Sequence, residues 1–185
     1  MKFMHASIVL CGFMGSGKSK LGQLLAGLRS LRFEDLDEEI QKYEGLGIPE
    51  IFAQKGEAYF RQAERTYLCA KAADQNRVLS LGGGALQSQD MVDRLKSSNL
   101  LVFLDPPLHE IIRRVQKNHR RPLLLNPDGT PKTEAQLQAT LNDMLKVRRP
   151  YYAQAHIQFQ PDPDWSPLRS ATELNALIDS HVNTL

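Results

Sequence analysis

Short apolar runs alternate along the chain with longer stretches whose apolar residues recur at three- and four-residue spacing. Runs at 7–11, 31–34, 78–81, 100–104 and 156–160 predict strands, and the stretches between them predict helices. Ile8-Val9-Leu10 and Leu100-Leu101-Val102-Phe103-Leu104 contain no polar position, the pattern of strands covered on both faces. The alternation predicts an α/β fold of βαβ units around a parallel sheet. Leu21, Leu24, Leu25 and Leu28 give one helical stripe, and Leu174, Leu177, Ile178 and Val182 give another near the C-terminus. Thr133 with Gln136 and Ser170 with Glu173 have capping-box spacing, which places helix starts there. Two segments break the alternation. Residues 118–132 hold Pro122, Pro127, Gly129 and Pro131, a length of irregular chain expected of a lid. Residues 161–167 hold three prolines and the only tryptophan.

Composition narrows the partners more than the fold. A chain of 185 residues buries a core without disulfides or structural metal, and one domain spanning 1–185 is expected. Lysine and arginine number 23 against 21 acidic residues, a net charge of +2, so no global field draws the protein to nucleic acid or to a membrane surface. Cys11 and Cys69 stand far apart without metal-ligand spacing, and two buried thiols in a reducing cytoplasm are expected. The longest apolar run, 6–14, is well short of the roughly 20 residues that cross a bilayer. No helix shows an unexplained second apolar face, so a cytoplasmic monomer is expected.

Gly12-Phe13-Met14-Gly15-Ser16-Gly17-Lys18-Ser19 fits the phosphate-binding pattern G-x-x-x-x-G-K-[ST] at 12–19, between the first predicted strand and the first predicted helix. Main-chain amides around Gly15, Ser16 and Gly17 form an anion nest at a helix N-terminus, Lys18 reaches the outer phosphates, and the Ser19 hydroxyl suits Mg²⁺. The guanine-reading sequence Asn-Lys-x-Asp and the Asp-x-x-Gly of switch GTPases do not occur. A small kinase using ATP is favoured over a GTPase.

Asp35-Leu36-Asp37 follows the second predicted strand, at the sheet edge where open α/β folds bind ligands. In an extended segment both carboxylates would point the same way, one toward a metal shell and one toward an attacking hydroxyl. Asp37-Glu38-Glu39 fits equally well the acidic first turn of a helix. Gly82-Gly83-Gly84 follows the third strand, either as a bare turn or as main chain that a ligand approaches closely. Arg113, Arg114, Lys117, His119, Arg120 and Arg121 form a basic cluster without interleaved aromatics, which suits a lid over phosphates better than a nucleic-acid patch.

Phe33-Glu34-Asp35-Leu36-Asp37, Gly47-Ile48 with Glu50-Ile51-Phe52, Gly56-Glu57, Phe60-Arg61 with Glu64, and Leu81-Gly82-Gly83-Gly84-Ala85 together resemble the shikimate kinase family. The resemblance extends to Gly15-Ser16-Gly17-Lys18-Ser19, to Arg121-Pro122-Leu123-Leu124 and to Arg148-Arg149-Pro150-Tyr151-Tyr152, covering about residues 7–157. It implies a three-layer α/β/α P-loop kinase fold with a five-stranded parallel sheet in order 2-3-1-4-5, a substrate-binding region at about 35–64 and a mobile lid at about 116–132. It implies transfer of the ATP γ-phosphoryl to the 3-hydroxyl of shikimate, on the route to chorismate and the aromatic amino acids, with Mg²⁺ as cofactor. Asp37 matches the family's acceptor for the attacking hydroxyl, and Asp35 the carboxylate that reaches Mg²⁺ through water beside Ser19. Arg61 and Arg148 match the arginines that hold the shikimate carboxylate, a planar group best met by guanidinium forks. Gly83 matches the main-chain contact to shikimate, flanked by Gly82 and Gly84. Arg121 matches the lid arginine that contacts ATP and stabilises the transferring phosphoryl, with Arg120 beside it. Lys20 departs from the family's small hydroxyl residue at a position that contributes mainly its amide near the α-phosphate. Asp105, at the end of the fourth strand, is expected to be structural. The loop at 161–167 is longer and more acidic than the short turn expected beside adenine.

Overall fold

A computed structural model describes residues 6–116, 126, 130 and 132–184. Five parallel strands form one sheet in the order β2-β3-β1-β4-β5, with β1 at Ile8–Cys11, β2 at Arg32–Asp35, β3 at Arg77–Ser80, β4 at Leu100–Leu104 and β5 at Ile157–Phe159. This is the predicted order. Side chains alternate across the sheet, and the alternation sorts the core into two layers. Ile8, Leu10, Val102 and Leu104 face one cluster, completed by Leu21 and Leu25 of α1 (Lys18–Arg29) and by Leu174 and Ile178 of α7 (Pro167–Asn183). Val9, Cys11, Leu101 and Phe103 face the other, where α2 (Leu36–Glu44), α3 (Ile48–Lys71), α4 (Gln89–Ser98), α5 (Leu108–Gln116) and α6 (Glu134–Tyr152) pack. Because β1 and β4 are buried along their whole length, their continuous apolar runs are accounted for.

Two helices have ends of particular interest. The Thr133 hydroxyl accepts from the Gln136 N–H and the Gln136 side chain accepts from the Thr133 N–H, the expected capping box of α6. The last helix, in contrast, opens four residues earlier than the Ser170/Glu173 spacing suggests. Ser166 caps it by accepting from the Arg169 N–H at 3.2 Å, and Pro167 takes the first helical position, where its missing N–H is no loss. Ser170 is buried inside the helix instead, and Leu177 of the predicted stripe is 40% exposed. Cys11 is buried as expected, whereas Cys69 is half-buried.

Helix α3 is broken at Gly56, whose φ of 82° and ψ of 167° lie in a region that only glycine occupies readily. The break sets the segment carrying Glu57, Arg61 and Glu64 at its own angle under the sheet's carboxyl edge. No helix among the described residues is long and apolar enough to cross a membrane.

Candidate active site

Loops leaving β1, β2 and β3 meet at the carboxyl edge of the sheet. The first is the glycine-rich loop. Lys18, 8% exposed, curls back and donates from Nζ to the carbonyls of Gly12 and Phe13, each at 2.9 Å. From α5, Arg114 Nη1 reaches the Gly15 carbonyl at 3.3 Å, joining the fourth crossover to the same loop.

Ser19, in the first turn of α1, donates from Oγ to Asp35 Oδ2 at 2.6 Å. Asp35 Oδ1 accepts from the Asp37 N–H at 3.0 Å, so this one carboxylate caps α2 and meets the glycine-rich loop at once. The extended geometry considered for Asp35 and Asp37 does not occur. Asp37 stands in the acidic first turn of α2, and the turn itself carries it to the cavity. A hydroxyl and a carboxylate a hydrogen bond apart are hard oxygens of the type Mg²⁺ takes, one or two from protein with phosphate and water completing the shell. Among the described residues no three His, Cys, Asp or Glu side chains gather into a full metal cage.

The third loop is Gly82-Gly83-Gly84, and its lack of side chains is a steric requirement. A Cβ on Gly82 would lie 2.6 Å from Asp37 Oδ1 and 2.7 Å from Glu64 Oε1, and one on Gly84 would lie 2.5 Å from Arg61 Nη1. The Gly83 carbonyl accepts from Arg148 Nη1 at 2.9 Å and from the Tyr152 hydroxyl at 2.5 Å, so α6 is fastened to this turn. Arg148, only 9% exposed, also lies 5.6 Å from the centre of the Phe13 ring.

Arg61 is held within α3: Nη1 donates to Glu64 Oε2 at 2.5 Å, and Nε and Nη2 donate to Glu57 Oε1 at 3.2 and 3.0 Å. Glu64 is almost wholly buried, and its Oε1 has no hydrogen-bond partner. Burial pushes its carboxyl up to about 7, against the opposing pull of Arg61.

A cavity of about 220 Å³ joins the glycine-rich loop to Asp35, Asp37 and the start of the glycine turn, lined by Gly15, Lys18, Ser19, Asp35, Asp37 and Gly82, while Arg61 and Arg148 meet the turn at Gly84 and at the Gly83 carbonyl. A second, of about 300 Å³, opens on the other side of the glycine-rich loop between Lys20, Arg114, Pro161, Asp162 and Trp165. The 161–167 loop thus meets the phosphate loop, and its length and acidity are accommodated at the surface. Asp105 is engaged by Arg149, as a structural residue would be. Arg120 and Arg121, with most of the expected lid at about 116–132, lie outside the described residues.

Of the predicted site, Gly15, Ser16, Gly17, Lys18, Ser19, Asp35, Asp37, Arg61, Gly82, Gly83, Gly84 and Arg148 come together around the three loops. Lys20, with an exposed side chain, lines both the first cavity and the second. Two participants were not assigned roles from sequence, Glu64 and Tyr152, and Arg114, expected as part of a basic lid cluster, stands on α5 against the phosphate loop. Glu64 carried a usable signal, since an acid three residues after Arg61 on a helix faces the same way.

The chain matches the family model "Shikimate kinase" over residues 14–178. A shikimate kinase of Chlorobaculum tepidum is 36% identical over 178 residues, covering 96% of this chain and 93% of that one. A shikimate kinase of Aquifex aeolicus is 38% identical over 151 residues, covering 82% and 84%. The solved shikimate kinase of Acinetobacter baumannii in complex with shikimate superposes with a TM-score of 0.84 at 31% identity, covering 96% of this chain and 94% of that one. With this fold, these converging loops and these relatives, the chain belongs to the shikimate kinase family.

Proposed function

We propose that the protein transfers the γ-phosphoryl of ATP to the 3-hydroxyl of shikimate, giving shikimate 3-phosphate and ADP. The observation that carries this reading is the meeting, around one turn that has no side chains, of a phosphate loop with a carboxylate and two arginines. ATP lies with its phosphates in the 12–19 loop and its base toward the cavity of Arg114, Pro161 and Trp165. Lys18 exchanges its loop carbonyls for the outer phosphates. Mg²⁺, held by Ser19 and through water by Asp35, neutralises charge on the phosphates when bound. Shikimate places its carboxylate on Arg61 and Arg148, whose forks suit a planar anion, and lies against the main chain of Gly82 to Gly84. This brings the 3-hydroxyl to Asp37, which accepts its proton as the oxygen attacks the γ-phosphorus and the bond to the β-bridging oxygen breaks. Arg121, by the family resemblance, would stabilise the developing charge.

Arg61 and Arg148 call for an anionic group on the acceptor, and relatives at 36% and 38% identity that are shikimate kinases favour shikimate over other anions such as gluconate or a nucleotide. The test is a coupled assay in which ADP release requires both shikimate and Mg²⁺. Asp37→Asn is expected to lower kcat by about 100-fold or more while nucleotide binding persists. Turnover independent of shikimate, or an undiminished Asp37→Asn enzyme, would overturn it.

A further inference from the structure

The floor of the acceptor cleft contains a charge count that the phosphoryl transfer does not use. Glu64 has 3% of its side chain exposed. Its Oε2 pairs with Arg61 at 2.5 Å, and its Oε1 has no partner and points at the same spot beside Gly82 as Asp37 Oδ1. The charged groups facing it are Asp37 from α2, Arg61 of its own helix and Arg148 from α6. Tyr152, next to Arg148, remains a neutral phenol because burial holds its pKa well above the ordinary value. Two buried or half-buried guanidinium groups therefore balance two carboxylates. Glu57, the other acid on Arg61, has 60% of its side chain exposed and can swing into water when displaced.

An incoming acceptor carboxylate upsets this balance, since it competes for Arg61 and adds a third negative charge to a space with two positive ones. Glu64 cannot leave for solvent as Glu57 can. We propose that Glu64 takes up a proton from solvent on Oε1 when the acceptor carboxylate binds Arg61, so that acceptor binding carries one proton into the cleft. The only bond formed in this step is the O–H on Oε1; Asp37 keeps its charge for the hydroxyl. The inference rests on the shikimate reading above.

Burial already holds the Glu64 carboxyl at about 7 in the empty cleft, so near neutral pH the proton is within reach. Loss of Arg61 to the acceptor removes the main interaction opposing protonation and raises the value further. At pH 6 the proton is largely present beforehand and little is taken up; at pH 8 it must come from solvent. Acceptor affinity is therefore expected to fall above pH 7, by up to about tenfold per pH unit.

Isothermal titration of shikimate into the nucleotide-free protein, in buffers of different ionisation enthalpy at pH 6 and pH 8, measures the protons exchanged. The expected result is roughly 0.5–1 proton taken up per shikimate at pH 8 and close to none at pH 6. Glu64→Gln is expected to abolish the uptake and flatten the dependence of affinity on pH, whereas Glu57→Gln retains both. Should Glu64→Gln fail to fold, the proton count of the unaltered protein at pH 8 against pH 6 decides instead. Binding with no uptake at pH 8 in the unaltered protein overturns the proton linkage and leaves the acceptor reading intact. Uptake that survives in Glu64→Gln also overturns it. No shikimate binding at either pH overturns both.

Discussion

Gly82 is the residue at which the acceptor side closes, because it lets Asp37 and Glu64 stand on either side of a bare α-carbon. In Gly82→Ala a methyl group would sit 2.6 and 2.7 Å from their oxygens. One carboxylate must move. This substitution is expected to lower kcat/KM at least about tenfold, equivalent to roughly 1.4 kcal/mol, while nucleotide binding measured separately stays close to the parent's. Arg148→Lys tests the other wall. A lysine supplies charge without the fork that reaches both the Gly83 carbonyl and a carboxylate, so KM for shikimate should rise about 10- to 100-fold with a smaller change in kcat. At the end of β1, just before the phosphate loop, burial pushes the Cys11 thiol up to about 12. A disulfide reagent added to the native protein is therefore expected to titrate Cys69 alone, and both thiols after denaturation. At this scale the sequence revealed residues whose chemistry belongs to a motif and missed those whose chemistry comes from surroundings. Lys18 and Ser19 are legible because a spacing names them. Glu64 becomes unusual only once α3 is seen to bury it beside Gly82.

Among the elements, α2 shows how two readings that looked like rivals are one structure. Asp37 in an acidic helical turn and Asp37 facing an acceptor were separate expectations, yet the helix start, capped by Asp35, is what aims the side chain. The strands were legible to within a residue because buried runs such as Ile8–Cys11 and Leu100–Leu104 are apolar on both faces. The start of α7 was not, since Ser166-Pro167 and Ser170/Glu173 both carry helix-start signals and only packing of Ser170 into the core decides between them. The break in α3 also needed the structure. Gly56→Ala places no atom against a neighbour, as nothing lies within 4 Å of the added carbon, so its cost is confined to the backbone. Equilibrium unfolding in denaturant is expected to show a loss of about 1–3 kcal/mol with an unchanged slope.

For the whole molecule, Glu64 sets a pH dependence of stability distinct from its part in binding. Its folded-state value of about 7 lies above the ordinary value of 4.5, so the native state holds a proton that the unfolded chain has released. Stability from this group is therefore complete below pH 4.5 and declines as pH rises toward 7. Compared by denaturant unfolding at pH 5 and pH 8, Glu64→Gln is expected to gain on the parent by about 2–3 kcal/mol over that interval. The helices flanking a parallel sheet followed from the chain's alternating pattern, and the strand order from its resemblance to a known family. How α6 is tied to the acceptor turn did not, since a main-chain carbonyl leaves no mark in sequence. That tie bears on inhibition. Arg148 and Tyr152 grip the Gly83 oxygen, and a side chain on Gly82 or Gly84 would have to displace Asp37, Glu64 or Arg61. An inhibitor that draws its affinity from this glycine wall rests on atoms common to every amino acid, so point mutation offers resistance only at the expense of the enzyme's own acceptor pocket.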